Sequence, residues 1–457
     1  MSAKAEQDFL RLLGARVLSE ANDIKRTPEA LAADLGIDIG HLKAVLDGKA
    51  DRKAAEGVLL AMASKYPVSL ADLWVEPDDT DDGVVICPVD DSAASARVFD
   101  RRDAKGATTP YYEYRDTAMS RIAPFKPEWI QPIRVVGNAD ADNPDVAYNK
   151  GHLMHQMTFF IGPVNFYWQI DGRSYCAEMD TGDSNFITPF VPHSFTSRDP
   201  DNLGLIVAVT YSGSVRRALN DLGRLEPDAL VGLAGTLDNP AKAFAARLNR
   251  YLAAESLSAD ELAQRLTGKG VASARAADLA HGRVSPNAVE LEEVADQLSL
   301  APADLMALSS DAEPAVAVQR AGNGTRAYPP GNQPVAQLAE LVRTRRQSGL
   351  KGFAIDVTAD GRAVPFQHGL HQYAYNYGDE PVRMFWGKDR EATLAPGDSA
   401  YLRPMVRHSF APVSPGRDGK LAVVRIPGGM NDIVLDEYAS FAPAGRKRVI
   451  QETTKWF

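Results

Sequence analysis

The stretch Gly151-His152-Leu153-Met154-His155-Gln156-Met157-Thr158-Phe159 carries three side chains that can hold a metal, in a context that suits a strand. Successive strand side chains point to opposite faces, so His152, Met154, Gln156 and Thr158 share one face and His155 looks the other way. The donor that can work with His152 is therefore Gln156, not the nearer histidine. A second segment, GDSNFITPFVPHSF (182–195), brings His193. If both segments face one interior, His152, Gln156 and His193 form a set of two imidazoles and one amide. The common nonheme iron set is two histidines and one carboxylate, with positions left open for substrate and oxygen. Here no acid is present, and Ile187 stands six residues before His193, where a glutamate could supply one. Outside a recognisable framework, such residues are more often satisfied core groups than ligands.

The framework comes from the rest of the chain. At 457 residues, with 45% hydrophobic and 24% charged residues, it reads as an ordinary globular protein of several domains. Cys87 and Cys176 are the only cysteines, which excludes a disulfide framework and a thiolate zinc site, so a metal must use His, carboxylate or amide ligands. The net charge of -10 argues against nonspecific binding to nucleic acid or anionic membranes. Nothing reads as a signal peptide or membrane span, and a cytoplasmic protein is expected.

Residues 27–49 read as two short helices joined at Gly36, with Thr27 as N-cap, Pro28 at the first helical position and Leu31, Leu35, Leu42, Val45 and Leu46 at helical spacing. Residues 8–76 resemble a five-helix repressor-type helix-turn-helix domain, and 258–308 reads as a weaker copy. Each helical stretch is followed by short alternating segments, over about 84–215 and 314–431, the pattern of strands closing a barrel. GHLMHQMTFFIGP (151–163) parallels QHGLHQYAYNYGD (367–379), and GDSNFITPFVPHSF parallels GDSAYLRPMVRHSF (397–410). His368 lies 216 residues after His152 and His408 lies 215 after His193, which marks a duplication. The GDxxxxxPxxxHSF segments resemble the second motif of cupins, in which a Gly-Asp hairpin precedes a strand that delivers a histidine into the barrel. The expected fold is α+β and multi-domain: helix-turn-helix-like (1–80), catalytic cupin barrel, a double-stranded β-helix (84–215), a second degenerate helical domain (216–310) and a second, non-catalytic cupin barrel (314–457). The set recurs as His368, Gln372 and His408, but that barrel lacks the polar Asn-Lys-Gly lead-in.

These motifs together resemble the phosphonate-cleaving nonheme iron oxygenases, hydroxyethylphosphonate dioxygenase and, more closely, methylphosphonate synthase, over nearly the whole chain. The resemblance rests on YNKGHLMHQ (148–156) with GDSNFITPFVPH (182–193), where loss of the dioxygenase's glutamate to Ile187 accompanies a glutamine four residues after the first histidine. It implies iron(II) on His152, Gln156 and His193 of the first barrel, with 2-hydroxyethylphosphonate and dioxygen as substrates. It implies further contacts: Asn149 and Tyr114 on phosphonate oxygens, Tyr112 beside them, Thr210 in a serine's place, His193 bordering the substrate, and Lys25 reaching over the iron. The family's arginine has no counterpart in register, and Lys105 is the nearest cation.

The implied reaction is oxygen-dependent cleavage of the substrate's carbon–carbon bond to methylphosphonate and carbon dioxide. The alternative is the dioxygenase outcome, hydroxymethylphosphonate and formate. Neutral ligands leave the metal its full +2 charge, which favours a chelating dianionic phosphonate, and the Gln156 NH2 needs an acceptor to hold its oxygen toward the metal. A competing class is a cupin-sensor transcription regulator. Its reading helix, DIGHLKAVLDGKA (38–50), carries two aspartates against two lysines, and the other copy sets Arg275 and Arg283 beside Asp278. A cupin isomerase or epoxidase for another anion is the third possibility. A homo-oligomer is expected, with no membrane and no nucleic-acid partner.

Overall fold

The structure, a computed structural model, describes residues 3–235, 239–306, 314–331 and 333–456. Residues 307–313, where the second helical domain was expected to give way to the second barrel, lie outside them. One compact unit comprises 1–211, 318–343 and 348–457; a second comprises 212–317 and 344–347.

The first unit opens with five helices, Ala3–Asp23, Pro28–Leu35, Ile39–Leu46, Arg52–Lys65 and Leu70–Leu73. The signals read at 27–49 act as expected. The Thr27 hydroxyl accepts from the Ala30 N–H, Pro28 starts the helix, and Gly36 ends it at φ 66°, a left-handed conformation that costs glycine little. Leu13, Leu31, Leu42, Leu59 and Leu73 bury completely in its core. The second unit repeats the plan with Pro240–Glu255, Ala259–Gly268, Ser273–Ala280, Ala288–Gln297 and Pro302–Leu305 around Phe244, Leu248, Leu266, Leu279 and Val294.

Among the described residues the strands form two seven-stranded and two three-stranded sheets with antiparallel ladders. In the first half the large sheet runs Val316–Gln319, Ser184–Ile187, His155–Ile161, Leu205–Tyr211, Phe125–Pro132, Thr108–Asp116, Arg97–Arg102; the small one holds Arg173–Met179, Val164–Ile170 and His193–Ser197. The second half mirrors this, from Val84–Cys87 beside Ser399–Leu402 through His371–Asn376, Gly419–Ile426 and Lys351–Val357 to Arg326–Tyr328.

The barrel boundaries read from the sequence need correcting here. Val84–Cys87, assigned to the first barrel, pairs with Ser399–Leu402 of the second. Val316–Gln319, assigned to the second, flanks Ser184–Ile187 of the first. The halves have exchanged their opening strands, which local patterning cannot reveal because an edge strand reads the same whichever sheet accepts it. Two helices, Asp432–Ser440 and Pro443–Ile450, also follow the last strand in the span assigned wholly to the second barrel.

The duplicated Gly-Asp-Ser motifs fasten the exchange. One oxygen of Asp183 accepts from the Asp180 N–H and closes its own turn; the other accepts from Ala321 N–H at 2.8 Å. Asp398 does the same with Ala395 and, at 2.7 Å, with Val89. The next residues follow suit: Ser184 Oγ accepts from Val342 N–H and Ser399 Oγ from Ala118 N–H. Removing a buried acceptor strands its donor, a loss of about 1–3 kcal/mol. Asp183→Ala and Asp398→Ala should each lower unfolding stability by that order in urea titrations. Hydrogen exchange should rise near Ala321 in the first variant and near Val89 in the second, across the junction in both cases.

Candidate metal centre

The strand expected over 151–159 begins only at His155, and His152 sits in the loop before it. What brings His152 to the interior is a stitch between that loop and the turn before His193. Phe190 N–H donates to His152 O at 2.8 Å, Asn149 N–H to His193 O at 3.0 Å, and His193 N–H to Asn149 Oδ1 at 2.9 Å. Gly151 permits this close pass: it adopts φ 71°, and a Cβ there would stand 2.4 Å from the Phe190 carbonyl carbon. Phe190 itself is left-handed at φ 63°.

The two imidazoles lie nearly perpendicular, 5.3 Å between centroids. His152 Nδ1 is 2.9 Å from Met154 O and His193 Nδ1 is 2.8 Å from Val191 O. A carbonyl only accepts, so each Nδ1 carries the proton and each Nε2 presents a lone pair. Gln156 Nε2 donates to Thr158 Oγ1 at 2.9 Å, which turns Gln156 Oε1 toward His152 Nε2 at 3.2 Å. Thr158 is thus the acceptor that the sequence left unnamed. Two acceptors face each other with no proton between them. Ligands about 2.1 Å from one ion at right angles stand about 3 Å apart, so this spacing fits a shared metal. Among the described residues no three His, Cys, Asp or Glu side chains form a ligand cluster, and the amide is needed to complete the set. Ile187 lies directly opposite Gln156 in the ladder, fully buried, where it offers no donor. His155 faces away, stacked with Phe186 and Tyr211.

The other expected site residues divide. Asn149 Nδ2 lies 3.0 Å from His193 Nε2, at the rim of the ligand set. Thr210 pairs with Gln156 in the ladder and donates to Lys126 O. Tyr114 packs edge-on against Phe99 and Tyr112, and burial pushes its phenol up to about 12, so it stays protonated and can donate. Tyr112 is already engaged: its hydroxyl accepts from Phe195 N–H and meets Ser194 Oγ, which makes it a tie between sheets. Lys105 is exposed in the turn after Arg97–Arg102, and the structure does not bring it to the ligands. Arg101, four residues earlier, acts electrostatically on both His193 and Tyr114. Lys25 Nζ lies 4.7 Å from the Trp456 ring centroid and donates to Asn22 O, so its own chain holds it there.

Two inward residues carried no signal in the sequence. Ala208 pairs with Glu128 on one side and Thr158 on the other, and Thr158 pairs with Asn185. This polar row lies one step below Gln156. Burial raises the Glu128 carboxyl, and the fully buried Asn185 amide meets no protein partner.

The second half builds a close copy. His368 Nε2 is 3.1 Å from Gln372 Oε1, and Gln372 Nε2 is 3.0 Å from His408 Nε2. Arg425 adds a bond from Nε to Gln372 Oε1 at 2.7 Å. Burial pulls that guanidinium down to about 10, so it is charged at neutral pH.

No protein-family model matches the chain. It is 34% identical to methylphosphonate synthase of Nitrosopumilus maritimus, over 98% of this chain and 96% of that protein. The solved structure of Streptomyces albus hydroxyethylphosphonate dioxygenase, with 2-hydroxyethylphosphonate and Fe(II) bound, superposes with a TM-score of 0.88 at 33% identity and covers 98% of this chain and 99% of that one. Another hydroxyethylphosphonate dioxygenase structure, at 18% identity and TM-score 0.74 over 96% of this chain and 99% of its own, shares the fold. Fold and ligand set together define a nonheme iron oxygenase. Within that class the chain belongs to the methylphosphonate synthase family.

Two outcomes test the geometry. Thr158→Val keeps the shape but removes the acceptor that orients Gln156, and should weaken iron(II) affinity about 10- to 100-fold in a competition titration, with the fold intact by circular dichroism. The second is a pH dependence. Burial pushes His193, His368 and His371 down to about 4 and His408 to about 3. Between about pH 6.5 and pH 4 the unfolded chain therefore binds protons that the folded chain refuses. The thermal midpoint of metal-free protein should fall steadily as pH drops through that window; a flat profile would contradict the burial of these rings.

Proposed function

We propose that this chain is an iron(II)- and dioxygen-dependent enzyme that cleaves the carbon–carbon bond of 2-hydroxyethylphosphonate to methylphosphonate and carbon dioxide. The observation that carries the reading is the facing pair of unprotonated acceptors, His152 Nε2 and Gln156 Oε1, with apolar Ile187 where a carboxylate would otherwise stand. His152, Gln156 and His193 hold the iron, which when bound supplies dioxygen activation and a +2 charge for a chelating phosphonate. In this reading the halves are tandem units of a helix-turn-helix-like domain and a cupin barrel, and the protein is a cytoplasmic homo-oligomer; its two cysteines are free, in keeping with a reducing compartment.

The chain's own groups bind and orient the substrate. The Asn149 amide beside His193 donates to a phosphonate oxygen, the protonated Tyr114 hydroxyl donates to another, and Arg101 takes the cationic role first expected of Lys105. Thr210 lines the wall opposite Gln156. Lys25 donates to Asn22 O and stacks on Trp456 in its own chain, and reaching over the iron, in the same chain or across a subunit interface, requires it to leave those contacts. The regulator reading lacks free reading-helix cations: Lys43 faces Glu29, Lys49 faces Asp47, Arg275 faces Glu290 and Arg283 faces Asp278.

Iron-loaded enzyme given 2-hydroxyethylphosphonate and oxygen should yield methylphosphonate by phosphorus NMR and carbon dioxide rather than free formate. Hydroxymethylphosphonate with formate as main product would assign the dioxygenase outcome instead. Arg101→Ala should raise KM about 10-fold or more, as loss of a charge-assisted bond worth about 1.5–3 kcal/mol requires, while Lys105→Ala should leave KM and kcat near their original values.

A further inference from the structure

The two halves place different residues beside equivalent amides. In the first, the ladder sets Thr210 opposite Gln156; in the second, Arg425 occupies the same register opposite Gln372. One strand further, Glu128 opposes Ala208 where Phe353 opposes Val423. Below Gln156 the row is Glu128, Ala208, Thr158 and Asn185; below Gln372 it is Phe353, Val423, Ala374 and Ala400. The first interior is polar, carries an acid and has the neutral Thr210 opposite the amide. The second is apolar and has the Arg425 cation there.

The second cation sits where it satisfies the ligands. Gln372 Oε1 lies 3.1 Å from His368 Nε2, and Arg425 Nε donates to the same oxygen at 2.7 Å, so the amide oxygen a metal would need is already engaged. His408 Nδ1 is bound to Val406 O, so its Nε2 accepts from Gln372 Nε2 at 3.0 Å. The guanidinium is held in place by the Phe353 and Phe366 rings, each 5.3 Å from its carbon. A divalent ion bound to Gln372 Oε1 would have to displace the Arg425 bond and stand beside a largely buried positive charge, where repulsion is screened less than in water.

We propose that Arg425 is the resident cation of the second barrel, and that His368, Gln372 and His408 are a closed site for a first-row divalent metal that Arg425→Thr, the first barrel's residue, reopens. The presence of the same three ligands is then not sufficient for metal binding; the residue opposite the amide decides it.

The test counts metal. Protein loaded with cobalt(II) under argon and desalted is measured by elemental analysis and by the ligand-field absorption of bound cobalt. Wild type should hold one ion per chain, Arg425→Thr two, and Arg425→Thr with His408→Ala one. A folded Arg425→Thr protein that still holds one ion overturns the proposal, as does a wild type that holds two and loses one on His408→Ala. Should Arg425→Thr not fold, His193→Ala in the native background decides: no bound cobalt supports the proposal, and one ion removed by adding His408→Ala overturns it. A wild type without metal would refute the functional reading of the first barrel, whereas an ion gained by Arg425→Thr would still support the role of Arg425.

Discussion

Two lone pairs confront each other across 3.2 Å between His152 and Gln156, and most of the local structure exists to keep them there. With Gln156 Nε2 bonded to Thr158, the amide oxygen is the atom turned toward His152. Met154 O and Val191 O set the tautomers, Thr158 sets the amide, and the stitch from Asn149 to Phe190 sets the distance between rings. Each support is backbone or a short, stiff side chain, so little freedom remains to be lost when a metal binds.

Charge explains why neutral ligands suit this site. A carboxylate would cancel part of the ion's charge before substrate arrives; an amide leaves it for the phosphonate. Ile187 enforces the choice by filling the opposing position with hydrocarbon. The second half meets the same electrostatic demand differently, with a cation that cannot leave.

Part of the expected site was legible in the sequence because strand alternation is a local rule. Within His155–Ile161 it sets Gln156 and His155 on opposite faces, and the stacking of His155 on Phe186 agrees, whereas His152 lies before the strand and is placed by the hydrogen bonds that tie its loop to Phe190 and His193. The duplication was legible for the same reason, as two copies of a motif at one offset. What the sequence hid depends on partners far along the chain. Thr158 as the anchor of Gln156 needed side-chain geometry; the electrostatic reach of Arg101 to His193 and Tyr114 needed the folded strands; the engagement of Tyr112 by Phe195 needed the second sheet. Arg425 stands 53 residues from Gln372, and only the ladder makes them neighbours. The exchange of opening strands was invisible, since Val84–Cys87 has the same pattern in either sheet.

The Gly-Asp-Ser clasps make the halves of this duplicated chain mutually dependent. A fragment cut between them would lose one strand it needs and carry one it cannot place, leaving an open sheet edge prone to pairing with other molecules. The half that carries Arg425 therefore cannot be deleted without taking a strand from the other half's sheet. A chain cut before Val316 would leave Ser184–Ile187 as the uncovered edge of the first large sheet.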